Sequence, residues 1–149
     1  VLCSNRAKLC CVFPRVGLVP DVGAFFTLPR MVGLQKAKEI MFTGRPLDAM
    51  EAKDLGIAME VHETDNLMSA AMELAQRLCK ASTPAIGATK RILNQSFNLD
   101  ANALIEMEAA AQAVCLSSDY HFNAIQGFLD KTPMAYDWER MDREAKKNS

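Results

Sequence analysis

The sequence predicts a helix-rich α/β chain in which residues 1–81 mix short strands with short helices and residues 82–149 are almost wholly helical. Three observations carry that prediction. Half of the 149 residues are hydrophobic, enough for a sizeable core at the size of one domain. Apolar residues recur at helical spacing along most of the chain. Up to about Ala81 these stripes are interrupted by short apolar runs bounded by turn residues, and after Pro84 they are not.

Taken in order, Val1 to Leu18 reads as strands of about three to five residues joined by tight turns, with "SNRAK" and "PR" as the breaks. Pro20, Asp21 and Gly23 mark a turn and a helix start. In "AFFTLPRMVGL" the proline predicts one helix ending near Thr27 or Leu28 and another opening after Gly33. "LQKAKEIMFTG" continues as a helix stopped by Gly44. "RPLDAMEAKDLG" predicts a helix with Asp48 as N-cap, Glu51 as its capping-box partner and Gly56 as terminator. "IAMEVH" alternates like a strand.

A long amphipathic helix follows from about Leu67 to Lys80, with Leu67, Met68, Ala71, Leu74, Ala75 and Leu78 as its stripe. "STPAIGATKRILNQSF" is the next, with Ser82 or Thr83 as cap and Pro84 in the first turn. "ANALIEMEAAAQAVCL" is a third. In "SSDYHFNAIQGFLDK" Ser117 or Ser118 caps a fourth that stops near Gly127 or Lys131. Beyond Pro133 the polar tail is expected to fray.

Seventeen basic residues against eighteen acidic ones leave a net charge of -1, which excludes general attraction to nucleic acid or to an anionic membrane. No apolar run approaches the ~20 residues that span a bilayer, and no segment reads as a signal peptide. The five cysteines, without a CxxC pair, read as reduced, mostly buried thiols of a cytoplasmic protein. His62 and His121 have no ligand-like spacing, so no metal is expected. The opening Val-Leu-Cys-Ser reads as if entered partway through a strand, and residues before Val1 are expected.

One stretch, "VGLVPDVGAFFTLPRMVG", holds an acidic residue in an apolar run. Asp21 is open to two readings: a helix cap in the N-terminal dipole, or an acid/base whose neighbours Leu18, Val19, Val22, Phe25 and Phe26 keep it dry. Gly23 is either a turn glycine or a point of close approach for a ligand. Periodicity does not separate these alternatives.

The run "AKLCCVFPRVGLVPDVGAFFTLPRMVGLQKAKEIMFTGRPLDAMEAKDLGIAMEV" resembles the second half of an enoyl-CoA hydratase/isomerase of the crotonase superfamily. The shared pattern comprises an F-x-x-x-G-L-x-P-D-x-G turn, an L-P-R-x-x-G step and an A-x-x-A-x-x-x-G-I/L unit. It extends through "GATKRILNQS" and "DYHFNAIQGFLDKTP" to about Ala135. The resemblance implies the later part of a strand-strand-helix spiral over 1–81. It also implies a helical region over 82–149 that contacts CoA and packs against neighbouring subunits, in a homotrimer or a dimer of trimers. The substrate it implies is an acyl-CoA thioester, with no separate cofactor, and two backbone N–H groups outside this chain hold the thioester oxygen as an enolate develops.

Hydratases of the family place a glutamate eight residues before the position of Asp21, and Phe13 stands there. Isomerase-like members carry an aspartate in the P-D-x-G turn, as Asp21 does. The resemblance therefore implies double-bond isomerisation, with Asp21 taking a proton from one acyl carbon and returning it to another. Leu18, Pro20, Val22, Gly23 and Phe26 would line the substrate. Lys131 matches a lysine that reaches CoA phosphates, and Phe128 would edge the adenosine. Read without the family, Lys131 is a solvated helix-end lysine and Phe128 a packing residue. Hydration, other chemistry on the same fold, and a non-catalytic acyl-CoA-binding or assembly module are the alternatives.

Overall fold

Leu2–Ser4 (β1) and Glu60–His62 (β4) form a parallel pair with Cys3 opposite Val61. Lys8–Cys10 (β2) pairs antiparallel with Pro46–Asp48 (β3), Leu9 opposite Leu47. The computed structural model describes residues 1–147, and the chain packs as two units divided after Met72.

In the first unit the helices are Ala24–Val32 (α1), Leu34–Thr43 (α2) and Ala49–Asp54 (α3). Their core is Ile40, Leu47, Ala52, Ile57 and Ala58, with Leu9, Leu28 and Val32 packed against it. Burying Ile40 and Leu47, at 1% and 2% exposure, contributes about 1.5–3 kcal/mol each. Gly44 ends α2 as expected. Its φ of 56° is left-handed, and a Cβ there would lie 3.0 Å from the Cys11 carbonyl oxygen, so glycine is required twice over.

Four expectations for this unit need correction. The chain after β2 forms a 3-10 turn at Phe13–Val16 instead of another strand, because Pro14 supplies a helical φ and no N–H for a ladder. Helix α1 runs unbroken through Pro29. Around the missing N–H, the Gly23 carbonyl accepts from the Phe26 and Thr27 amides and from the Thr27 hydroxyl. The Phe26 carbonyl accepts from Arg30 Nη1 at 2.8 Å, and the helix closes with Gly33 N–H on the Pro29 carbonyl. A short strand, β3, precedes α3.

The fourth concerns the capping box. Asp48 Oδ1 does accept the Glu51 N–H at 2.8 Å, but the Glu51 carboxylate does not return to Asp48. It turns to Arg45, which lies between two glutamates. Arg45 Nε meets Glu39 Oε1 at 2.5 Å, and Nη1 meets Glu51 Oε2 at 2.8 Å. Two bonds from a guanidinium outcompete a single bond from a neutral backbone N–H.

Helix α4, Leu67–Leu78, crosses the division. The second unit then holds Thr83–Leu93 (α5), Ala101–Leu116 (α6), Asp119–Leu129 (α7) and Trp138–Lys147 (α8). Caps explain three of these starts: Ser82, Asp100 and Ser118 accept the amides of Ala85, Ala103 and His121. The proline at 84 sits in the first turn of α5 as expected. Helix α5 packs on α6, and Tyr120 Oη donates to the Lys80 carbonyl.

The tail does not fray as expected. Residues 138–147 form α8, held because Met141 is buried, the Arg77 guanidinium lies 4.0 Å from the Trp138 ring centre, and Arg77 pairs with Asp142. Asn148 and Ser149, to which the fraying expectation also extended, lie outside the described residues.

Candidate active site

Asp21 opens a tight turn. Its carbonyl accepts the Ala24 N–H at 3.0 Å, and the residues between, Val22 and Gly23, have φ of 47° and 77°. That sign pattern belongs to a type I′ turn. Gly23 is the N-cap of α1 and no side-chain cap bond is made there, so the reading of Asp21 as helix cap fails. Among the described residues the Asp21 carboxylate has no hydrogen-bond or ion-pair partner.

The surroundings are apolar but open. Pro20 is buried, while Leu18, Val19, Val22, Phe25 and Phe26 are exposed by 46–95%, and Asp21 is exposed with them. The dry cavity that the sequence suggested is not closed by residues 1–147. What the chain does form is a lone carboxylate set in an exposed apolar surface. Arg30 stacks 3.6 Å from the Phe26 ring centre. Phe13 lies in the 3-10 turn that leads through Gly17, φ 75°, to this surface.

The second group of predicted residues closes α7. Lys131 N–H donates to the Phe128 carbonyl and Thr132 N–H to the Gly127 carbonyl, at 3.2 and 2.9 Å, the two bonds of a Schellman motif. Lys131 holds its left-handed position, φ 54°, where glycine is the usual occupant. Val22 and Lys131 are the non-glycine residues with positive φ among those described, and both fall on predicted site positions. Next to Lys131 in sequence, Thr132 helps line a cavity of about 470 Å³ with Tyr120, Asn123, Gly127, Met134 and Tyr136. Phe128 is 70% exposed and, like Lys131, lies outside that lining.

Elsewhere the titratable groups have structural roles. Hydrogen bonds from Arg45 hold Glu39 and Glu51 below the ordinary glutamate range, and the same bonds raise Arg45. The cysteines are exposed or half-buried rather than mostly buried as expected. Partial burial, with Cys10 beside it, pushes the Cys11 thiol up, which argues against a reactive thiolate. The sequence reading missed the Arg45 fork and the left-handed Val22. For Arg45 the signal was present, as glutamates at positions six residues to either side.

Residues 1–139 match the family described as Enoyl-CoA hydratase/isomerase. The chain belongs to the enoyl-CoA hydratase/isomerase family. A solved enoyl-CoA hydratase/isomerase from Cupriavidus metallidurans CH34 superposes with a TM-score of 0.87 at 46% identity, over 91% of this chain and 51% of that one. The fold of this family member is thus crotonase-like α/β and helix-rich. The enoyl-CoA isomerase/hydratase fer4 of Mycosarcoma maydis is 31% identical over 80% of this chain and 44% of its own length. A short-chain-enoyl-CoA hydratase of Clostridioides difficile is 30% identical over 85% and 82%. Apart from the last, the chain spans about half the length of the curated relatives it matches. Among the described residues, no helix is long and apolar enough to cross a membrane.

Proposed function

We propose that the protein acts on acyl-CoA thioesters and moves a carbon–carbon double bond through an enolate, with Asp21 as the single proton carrier. The observation that carries this reading is the unpartnered Asp21 carboxylate in an apolar surface, at the head of a turn whose shape no cap bond explains. In a 3-enoyl-CoA the carboxylate would take a proton from C2. The electrons pass to the thioester oxygen, and return of the proton at C4 leaves the double bond between C2 and C3. One carboxylate serves both steps if the enolate stays still between them.

This chemistry needs N–H donors for the thioester oxygen and a cover over the exposed apolar residues. We assign both to chain beyond these 149 residues, the present chain supplying the later part of the spiral and the helical region. Phe128 and Lys131 would hold CoA. Helix α6, whose apolar residues spread around its circumference with Ile105 and Val114 exposed by 57% and 61%, suits burial against a neighbouring subunit of a trimer or dimer of trimers. A cytoplasmic setting fits the free cysteines.

Hydration is the second reading, supported by relatives named as hydratases, among them one that this chain spans over 82% of its length. Phe13 in place of the family's glutamate weighs against it. Incubating the full-length protein with 3-enoyl-CoA and with 2-enoyl-CoA tests the choice: the expected result is double-bond migration with little water addition. Full isomerase activity in Asp21→Asn would overturn the assignment.

A further inference from the structure

The turn that carries Asp21 is held from both sides by one helix. After it, α1 packs along α2, with Leu28 and Val32 against the core that buries Ile40. Before it, the 3-10 turn at Phe13–Val16 packs on the end of α2. That second contact closes on Gly44. Cys10 Sγ donates to the Gly44 carbonyl at 3.0 Å, and a Cβ on Gly44 would lie 3.0 Å from the Cys11 carbonyl oxygen and 3.4 Å from Cγ and Nε of Arg15.

A side chain at position 44 would push the chain that leads to Asp21, and the push would travel. Between Cys11 and Asp21 there is little slack: Leu18 N–H donates to the Phe13 carbonyl at 2.9 Å, Gly17 N–H donates to the Pro14 carbonyl at 3.2 Å, and Pro20 is buried. Close-packed segments pass a displacement on instead of absorbing it. Clearing a Cβ from an oxygen at 3.0 Å moves the neighbour by a few tenths of an ångström. Proton transfer is sensitive on that scale, because the reacting atoms have to meet at about 3–3.5 Å.

Resting on the reading of Asp21 as proton carrier, we propose that Gly44 is a positioning residue for the reaction: its missing side chain lets the segment from Cys10 to Arg15 lie against the end of α2, and that contact sets where the Asp21 carboxylate stands. This role is separate from ending α2, which a left-handed asparagine would also do.

Variants of the full-length protein separate positioning from folding. Gly44→Ala and Gly44→Asn both bring a Cβ against Cys11, but Gly44→Asn suits the left-handed φ of 56° better and should keep more of the native Tm. Gly56→Ala is the comparison. Gly56 has a φ of 73° and, among the described residues, no heavy atom within 4 Å of where a Cβ would lie, so this variant carries backbone strain alone. On 3-enoyl-CoA, kcat should fall roughly tenfold in both Gly44 variants with KM within about twofold of native, and Gly56→Ala should keep native kcat despite a lower Tm. If neither Gly44 variant folds, Cys10→Ala tests the same contact: losing the thiol donor should lower kcat about threefold, and Cys10→Ser should restore it. A kcat that follows Tm across the glycine variants, or native kcat in Gly44→Asn, alongside an inactive Asp21→Asn, would overturn this proposal and leave the reading of Asp21 standing. Native kcat in Cys10→Ala, where that test decides, would do the same. An active Asp21→Asn would overturn both.

Discussion

The guanidinium of Arg77 lies 4.0 Å from the centre of the Trp138 ring and pairs with Asp142 one turn further along α8. A partly buried cation on an aromatic face, with a carboxylate at its edge, fastens a helix whose own sequence is mostly charged. Trp138→Ala should therefore cost about 1–2 kcal/mol and free α8. Limited proteolysis should then cut between α7 and α8 faster than in the native protein. Asp142→Asn, which keeps the stack, should show a smaller loss.

That helix also marks the limit of what sequence alone made legible. Stripes, caps and terminators depend on near neighbours, so α2, α3 and the starts at Ser82 and Ser118 could be read directly. Helix α8 depends on Arg77, 65 positions from its partner Asp142, and composition pointed the other way. Pro29 misled for a similar reason: its local preference is to break, and bonds from Thr27 and Arg30 outweigh it. For the candidate site, the resemblance singled out Asp21 and Lys131 as expectations, but a left-handed valine has no signature in a pattern of apolar residues.

Acid should weaken the first unit through the Arg45 fork. Glu39 and Glu51 sit below the ordinary glutamate range, so the unfolded chain binds more protons than the native one. Their stabilisation is whole above that range and is lost as pH falls through their lowered folded values. Glu51→Gln should therefore be less stable than the native protein near neutrality, and the gap in Tm should close between about pH 6 and about pH 3. A gap that held constant across that window would mean that packing, not charge, links α2 to α3.

Pro29 leaves the Phe25 carbonyl without its usual bond from four residues on. Since the backbone there is already helical, Pro29→Ala should restore a donor without moving the chain. We expect a gain of about 1–3 kcal/mol, read as a higher urea midpoint with unchanged m-value. Loss of stability instead would show that the ring's packing outweighs the missing bond.

Lys131 separates a structural from a functional account of one residue. As the left-handed residue of the Schellman motif it occupies a position where glycine is cheaper, so Lys131→Gly should stabilise the protein by about 0.5–1 kcal/mol. If its ammonium reaches CoA phosphates, the same change should weaken CoA binding roughly tenfold at low salt, and the difference should shrink as salt screens the charge. Lys131→Gln keeps the conformational cost and removes the charge, so it should lose affinity without gaining stability. Calorimetric titration of the full-length protein with CoA, set beside thermal unfolding, reads both quantities. A Lys131→Gly protein that is more stable and binds CoA unchanged would return Lys131 to the role of a helix end.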